Sequence, residues 1–120
     1  ARRRRTPVPE VPAVPGLAGV TASVFRAGGA LSAVLPDYEP RASQLEMAAH
    51  VADVFEKGGV LLAEAGTGTG KTLSYLVPAI LSRQRVLVST GTKNLQEQIF
   101  FKDIPTLREA LDVPFTATCM

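Results

Sequence analysis

The sequence predicts an α/β domain in which helices flank an incomplete parallel sheet. Three observations predict it. Short apolar or β-branched runs at residues 60–64, 85–89 and 114–118 alternate with longer segments whose apolar residues recur at helical spacing. The runs are nearly continuous in character, as strands covered on both faces must be. The first run leads straight into Ala65-Gly66-Thr67-Gly68-Thr69-Gly70-Lys71-Thr72, a glycine-rich turn that opens a helix. The resulting order, β–α–β–α–β, places helices on the sheet, because parallel strands need crossover connections. Three strands are too few to complete such a sheet.

Bulk properties bound the rest. With 46% hydrophobic and 20% charged residues in 120, the chain is globular, and is one small domain or part of a larger one. The first fifteen residues carry +3 and the remainder −1. The folded part is therefore not basic, and bulk charge alone gives no reason to invoke nucleic acid. The single cysteine, Cys119, excludes an internal disulfide framework and fits a reducing, cytoplasmic compartment. No apolar run approaches the ~20 residues of a membrane span, and the N-terminal arginines precede prolines instead of an apolar core, so neither a membrane partner nor a secretion signal is expected.

Residues 1–15 hold four prolines and the run Arg2-Arg3-Arg4-Arg5. They read as an extended, disordered tail, either an arm for phosphates or a solvated linker. Residues 16–120 form the folded portion. Ala30 to Leu35 suggests a short helix, and Asp37-Tyr38-Glu39-Pro40 a turn. Ser43 with Glu46 reads as a capping box for a helix over 43–57. Leu45, Ala48, Ala49, Ala52 and Phe55 line its inner side, and Gly58-Gly59 end it. His50, without a second ligand at metal spacing, reads as a surface or boundary residue. A helix runs from the glycine-rich turn to about Ser82, and Pro78 should kink it. Thr92 caps a third helix, Lys93 to about Lys102, and Pro105 opens a shorter one from Thr106 to Leu111. Asp103, Glu109 and Asp112 read as solvated charges.

The glycine-rich turn is the most informative feature. Glycines let successive N–H groups converge on one anion, and the following helix N-terminus favours negative charge. Lys71 then reaches the β- and γ-phosphates of ATP, and the Thr72 hydroxyl ligates Mg²⁺. Ala65 stands where the simplest form of the pattern has glycine, which is acceptable with a negative φ. A hydrolytic site also needs an acidic residue on a neighbouring strand, and no Asp-Glu pair follows at a strand end. The 120 residues alone are therefore expected to bind ATP without turning it over. Two further constellations each have two readings. Gln44, with Arg41 three residues before it, offers the paired donor and acceptor that suit an adenine edge, or is simply an early helix residue. The polar loop Ser89-Thr90-Gly91-Thr92-Lys93-Asn94-Leu95-Gln96-Glu97-Gln98 suits a nucleic-acid backbone phosphate, or is ordinary helix capping.

The order of these motifs resembles the N-terminal part of superfamily 2 DNA helicases of the DinG/XPD type, over residues 24–118 and most specifically from Tyr38 to Leu111. The resemblance implies an incomplete P-loop NTPase (RecA-like) sheet, with residues 16–120 as a truncated first motor domain that lacks its second motor domain. It implies an ATP-dependent DNA helicase that moves 5′-to-3′ on single-stranded or forked DNA and acts in DNA repair. Arg41, Gln44 and the stretch Ala65, Gly66, Thr67, Gly68, Thr69, Gly70, Lys71 and Thr72 would hold ATP, with Mg²⁺ on Thr72. Ser89, Thr90, Thr92, Lys93, Asn94 and Gln96 would touch DNA. Many members carry a 4Fe-4S cluster; its ligands would lie beyond Met120, and Cys119 alone cannot hold one. The alternative is a P-loop module of another class, without coupling to DNA.

Overall fold

The computed structural model describes residues 16–63 and 71–120. The Arg2–Arg5 run and the loop residues 64–70 lie outside the described residues. The chain opens with two short helices, α1 (Leu17–Phe25) and α2 (Ala30–Val34). The turn between them needs glycine. Gly28 has φ +78°, and a Cβ on Gly29 would stand 2.2 Å from the Ser23 carbonyl oxygen. This break also decides the fate of an apolar window, Leu17–Val34, whose mean hydropathy over 18 residues is 1.3. It is divided into helices of nine and five residues, each far short of a ~20-residue span. Phe25 and Leu31 are both buried in the core.

Helix α3 (Ala42–Lys57) and helix α4 (Lys71–Leu81) form the central pair. Ala48 and Ala52 are fully buried on α3, and their small side chains let a neighbouring helix approach closely. The expected capping box does not form. Pro40 holds the preceding backbone extended, Arg41 is the N-cap at φ −127° and ψ 132° without a side-chain cap bond, and the helix starts at once with Ala42. Ser43 is then already helical. The other end is as expected, closed by Gly58 (φ +81°) and Gly59 (φ +116°). Helix α4 runs on through Pro78: the Ser82 N–H donates to the Pro78 carbonyl at 2.9 Å, and the ring is buried.

Helix α5 (Lys93–Gln98), a π-helical segment (Ile99–Asp103) and α6 (Ile104–Ala110) form one continuous helical run. The wide turn falls just before Pro105. Proline donates no N–H and crowds the carbonyl four residues earlier, and a π turn changes the pairing there without breaking the helix. The Ile104 N–H bonds to the Ile99 carbonyl, and the Thr106 hydroxyl donates to the Lys102 carbonyl at 2.9 Å. The core gathers Phe25, Leu31, Ala48, Leu76, Val77, Ile99, Ile104, Leu107 and Leu111, and Leu95 of α5 packs against it.

The expected α/β fold, an incomplete parallel sheet, is corrected here: the described residues contain no β-strand. Residues 60–63, 85–89 and 114–118 join no ladder, and residues 85–89 and 114–118 border a groove of about 1090 Å³ instead of pairing. Val60 is 86% exposed, Leu62 92% and Leu87 78%. A strand exists only where a neighbour takes up its N–H and C=O groups and other layers cover its faces. The apolar pattern expresses a need for cover; Val60, Leu62 and Leu87 lack it, while Phe115 and Ala117 find theirs against the helical core instead of in a sheet.

Leu107, fully buried, tests the helical core. Leu107→Ala should lower unfolding free energy by about 2–5 kcal/mol, read as a fall in the urea midpoint without a change in slope.

Candidate nucleotide-binding site

Lys71 and Thr72 are the first two residues of α4. Lys71 is exposed and Thr72 half-buried. Further along, Leu76, Val77 and Ala79 are buried, so the core fixes the helix whose N-terminal N–H groups and positive dipole end favour an anion. The loop residues expected to complete the phosphate cradle, Ala65 to Gly70, lie outside the described residues.

The first turn of α3 lies against the first turn of α4. The Ser74 hydroxyl, fully buried, donates to the Gln44 carbonyl at 3.0 Å, and Ser74 is one helical turn beyond Lys71. Gln44 thus sits beside the N-terminal end of α4, with Arg41 at the N-cap of its own helix and exposed. The Gln44 residue is only 5% exposed. Tyr38 borders it: the phenol donates to the Phe25 main-chain carbonyl, and its oxygen lies 3.5 Å from Gln44 Oε1. Burial raises the Tyr38 phenol above its ordinary pKa. Ser74 was legible only as a helix residue. The available signal was a small hydroxyl on the otherwise apolar face made by Val77 and Pro78.

A second set of contacts leads away from Thr72. Burial raises the Tyr75 phenol, a hydrogen bond with the Thr72 side chain opposes that shift, and the charge of Asp103 adds to it. Asp103 is not the solvated charge expected from its sequence context. Its Oδ2 is buried without a hydrogen-bond partner, and desolvation raises its carboxyl pKa, with nearby Lys102 acting in the opposite sense. It closes the π-helical segment.

The residues expected to meet DNA divide. Thr92 is the N-cap of α5, its hydroxyl accepting from the Leu95 N–H at 3.2 Å, and the Thr90 hydroxyl donates to the Thr92 carbonyl at 3.1 Å. Ser89, Lys93 and Asn94 are exposed. Gln96 points elsewhere: its amide donates to Cys119 Sγ at 2.9 Å and to the Met120 carbonyl at 3.0 Å. The segment carrying them is anchored by Arg108, which donates to the Phe115 carbonyl at 2.6 Å and stacks 4.5 Å over the Phe115 ring. Among the described residues no group of three or more His, Cys, Asp or Glu side chains is placed to hold a metal. One exposed thiol therefore does not fit a four-cysteine cluster here.

This geometry, a helix opening with Lys-Thr beside a buried glutamine on a neighbouring helix, is accompanied by a family match. The model described as "DEAD/DEAH box helicase" matches residues 42–112. The chain belongs to that family. Over 87 residues, 72% of this chain, it is 46% identical to the ATP-dependent DNA helicase YoaA of Escherichia coli K12. It is 45% identical over 91 residues to YoaA of Haemophilus influenzae, covering 76% of this chain. Over 95 residues, 73% of this chain, it is 47% identical to the ATP-dependent DNA helicase DinG of Salmonella typhimurium. The chain spans only 14% of each YoaA and 13% of DinG. No solved structure matches.

Asp103 yields a pH test. Its folded pKa is raised, so the folded state holds the proton more tightly than the unfolded chain, and stability falls as pH rises above the unfolded value of about 3.9. Asp103→Asn removes that penalty. Its stability relative to the parent should rise from acid to neutral pH in urea titrations; a difference independent of pH would contradict the assignment.

Proposed function

We propose that this chain is the ATP-binding front of an ATP-dependent DNA helicase, whose remaining motor parts lie outside these 120 residues. The observation that carries the reading is the meeting of the first turns of α3 and α4, joined by the Ser74–Gln44 bond. That contact brings the helix end bearing Arg41 and Gln44 next to the one bearing Lys71 and Thr72, which supports reading them as parts of one site. In this reading Gln44, aided by Arg41, meets the adenine edge. Residues 65–70 cradle the phosphates with their N–H groups, Lys71 neutralises the β- and γ-phosphates, and the Thr72 hydroxyl holds the metal. Bound Mg²⁺ supplies charge neutralisation on the transferring phosphate.

Ser89, Thr90, Thr92, Lys93, Asn94 and Gln96 contact the single-stranded DNA backbone in the same reading. Support is strongest for Ser89, Lys93 and Asn94, which are exposed at or just before the α5 N-terminus. Gln96 must first leave its partners at Cys119 and Met120. ATP binding closes two motor domains on one another and release reopens them, driving 5′-to-3′ movement. Such a protein acts where the DNA is, in the cytoplasm or on the nucleoid, with DNA repair as its setting. The names of the YoaA and DinG relatives support ATP and DNA as ligands.

The full-length protein should hydrolyse ATP faster with single-stranded DNA present, and Lys71→Ala should reduce that activity to background. Hydrolysis indifferent to DNA would contradict the helicase reading. Residues 1–120 alone should show no turnover in the same phosphate-release assay.

A further inference from the structure

We propose that the Tyr75 phenol positions the Thr72 hydroxyl for its cation, with the charge of Asp103 directing the phenol proton. The proposal rests on the reading of Thr72 as the Mg²⁺ ligand. A hydroxyl carries one proton and two lone pairs. To ligate a cation it turns a lone pair outward and its proton away. A fixed acceptor behind the hydroxyl holds that orientation.

Tyr75 supplies the acceptor. It stands three residues after Thr72, so both lie on one face of α4. Long side chains on a helix lean back over the preceding turn, which carries the phenol to the Thr72 side chain. The two hydroxyls are hydrogen-bonded, and the bond favours the phenolate, as it must when Thr72 donates and the phenol oxygen accepts. The Tyr75 side chain is half-buried and packs against the core, so the place of the acceptor is set by the fold. The phenol's own proton then needs a direction. Asp103 provides one: its charge acts on the Tyr75 phenol, and its Oδ2 is buried with no hydrogen-bond partner among the described residues. A carboxylate on that side draws the phenol proton toward itself and leaves the oxygen lone pairs for Thr72. The buried carboxylate, which costs stability, thereby orients a dipole beside the phosphate site. Tyr75 and Asp103 are positioning residues; neither touches nucleotide or cation.

The test is the affinity of the full-length protein for a fluorescent ATP analogue, measured in excess Mg²⁺ and again in EDTA. The ratio of the two affinities isolates the share that depends on the cation. Tyr75→Phe keeps the ring and its packing but removes the acceptor. Its ratio should fall about three- to tenfold, the worth of one neutral hydrogen bond, with the affinity in EDTA unchanged. Asp103→Asn should lower the ratio by a smaller factor. Thr72→Val keeps the shape, removes the hydroxyl and should lower the ratio most. Adding Tyr75→Phe to Thr72→Val should then change nothing, because the hydroxyl to be positioned is gone. A parental ratio in Tyr75→Phe, beside a lowered one in Thr72→Val, overturns the role of Tyr75 and leaves Thr72 as the ligand. A parental ratio in Thr72→Val overturns the ligand and the proposal with it. Affinity lost equally in Mg²⁺ and EDTA by Tyr75→Phe, or a full further loss in the double variant, reduces Tyr75 to packing and overturns the proposal. A parental ratio in Asp103→Asn overturns the part given to Asp103.

Discussion

The contact of α3 with α4 is the constraint on which the rest of this structure depends. The two helices pack on each other more extensively than any other described pair, and α3 buries the small residues Ala48 and Ala52, which allow close helix approach. The Ser74–Gln44 hydrogen bond adds an axial register. A carbonyl has two lone pairs, so the Gln44 carbonyl can accept from Ser74 as well as within its own helix. The bond therefore cross-links the first turns without unravelling either one. Any ligand that spans Gln44 and Lys71 meets a preset spacing.

Around that pair the other elements act as supports. Phe25 of α1 offers the carbonyl that occupies the Tyr38 phenol. Leu31 and Leu107, both fully buried, are members of one cluster with Val77 of α4. Tyr75, hydrogen-bonded to the Thr72 side chain, also feels the charge of Asp103. Asp103 ends the π-helical segment that continues α5, the helix capped by Thr92. The candidate magnesium ligand and the candidate DNA-facing helix thus belong to one packed body.

Local chemistry was legible in the sequence and long-range pairing was not. The helix over 42–57 was placed within a residue, because alanine and leucine spacing and the Gly58-Gly59 stop are local signals. Lys71 at the opening of a helix and Thr92 as a cap were legible for the same reason. Helix α1 was missed: Leu17-Ala18-Gly19-Val20 carries no cap and no polar face to mark a period. The sheet was overread because Val60, Leu62 and Leu87 have the composition of buried strands, while burial depends on which other segments arrive to cover them. The burial of Asp103 Oδ2 is not legible because it depends on tertiary packing around the π-helical segment, which local sequence does not specify. Most of the candidate site was named from sequence, including Arg41, Gln44, Lys71 and Thr72. Ser74, which joins its two halves, was not, since a single serine inside a helix carries no pattern.

The central claim is that the first turns of α3 and α4 are two halves of one nucleotide site. Amide hydrogen exchange on the full-length protein, with and without saturating ATP and Mg²⁺, tests it most directly. Exchange should slow together at residues 42–48 and 71–76, by a similar factor in both, because closing either half orders the other. Protection at residues 71–76 alone, with 42–48 exchanging as in the free protein, would contradict the account and leave α3 a structural neighbour.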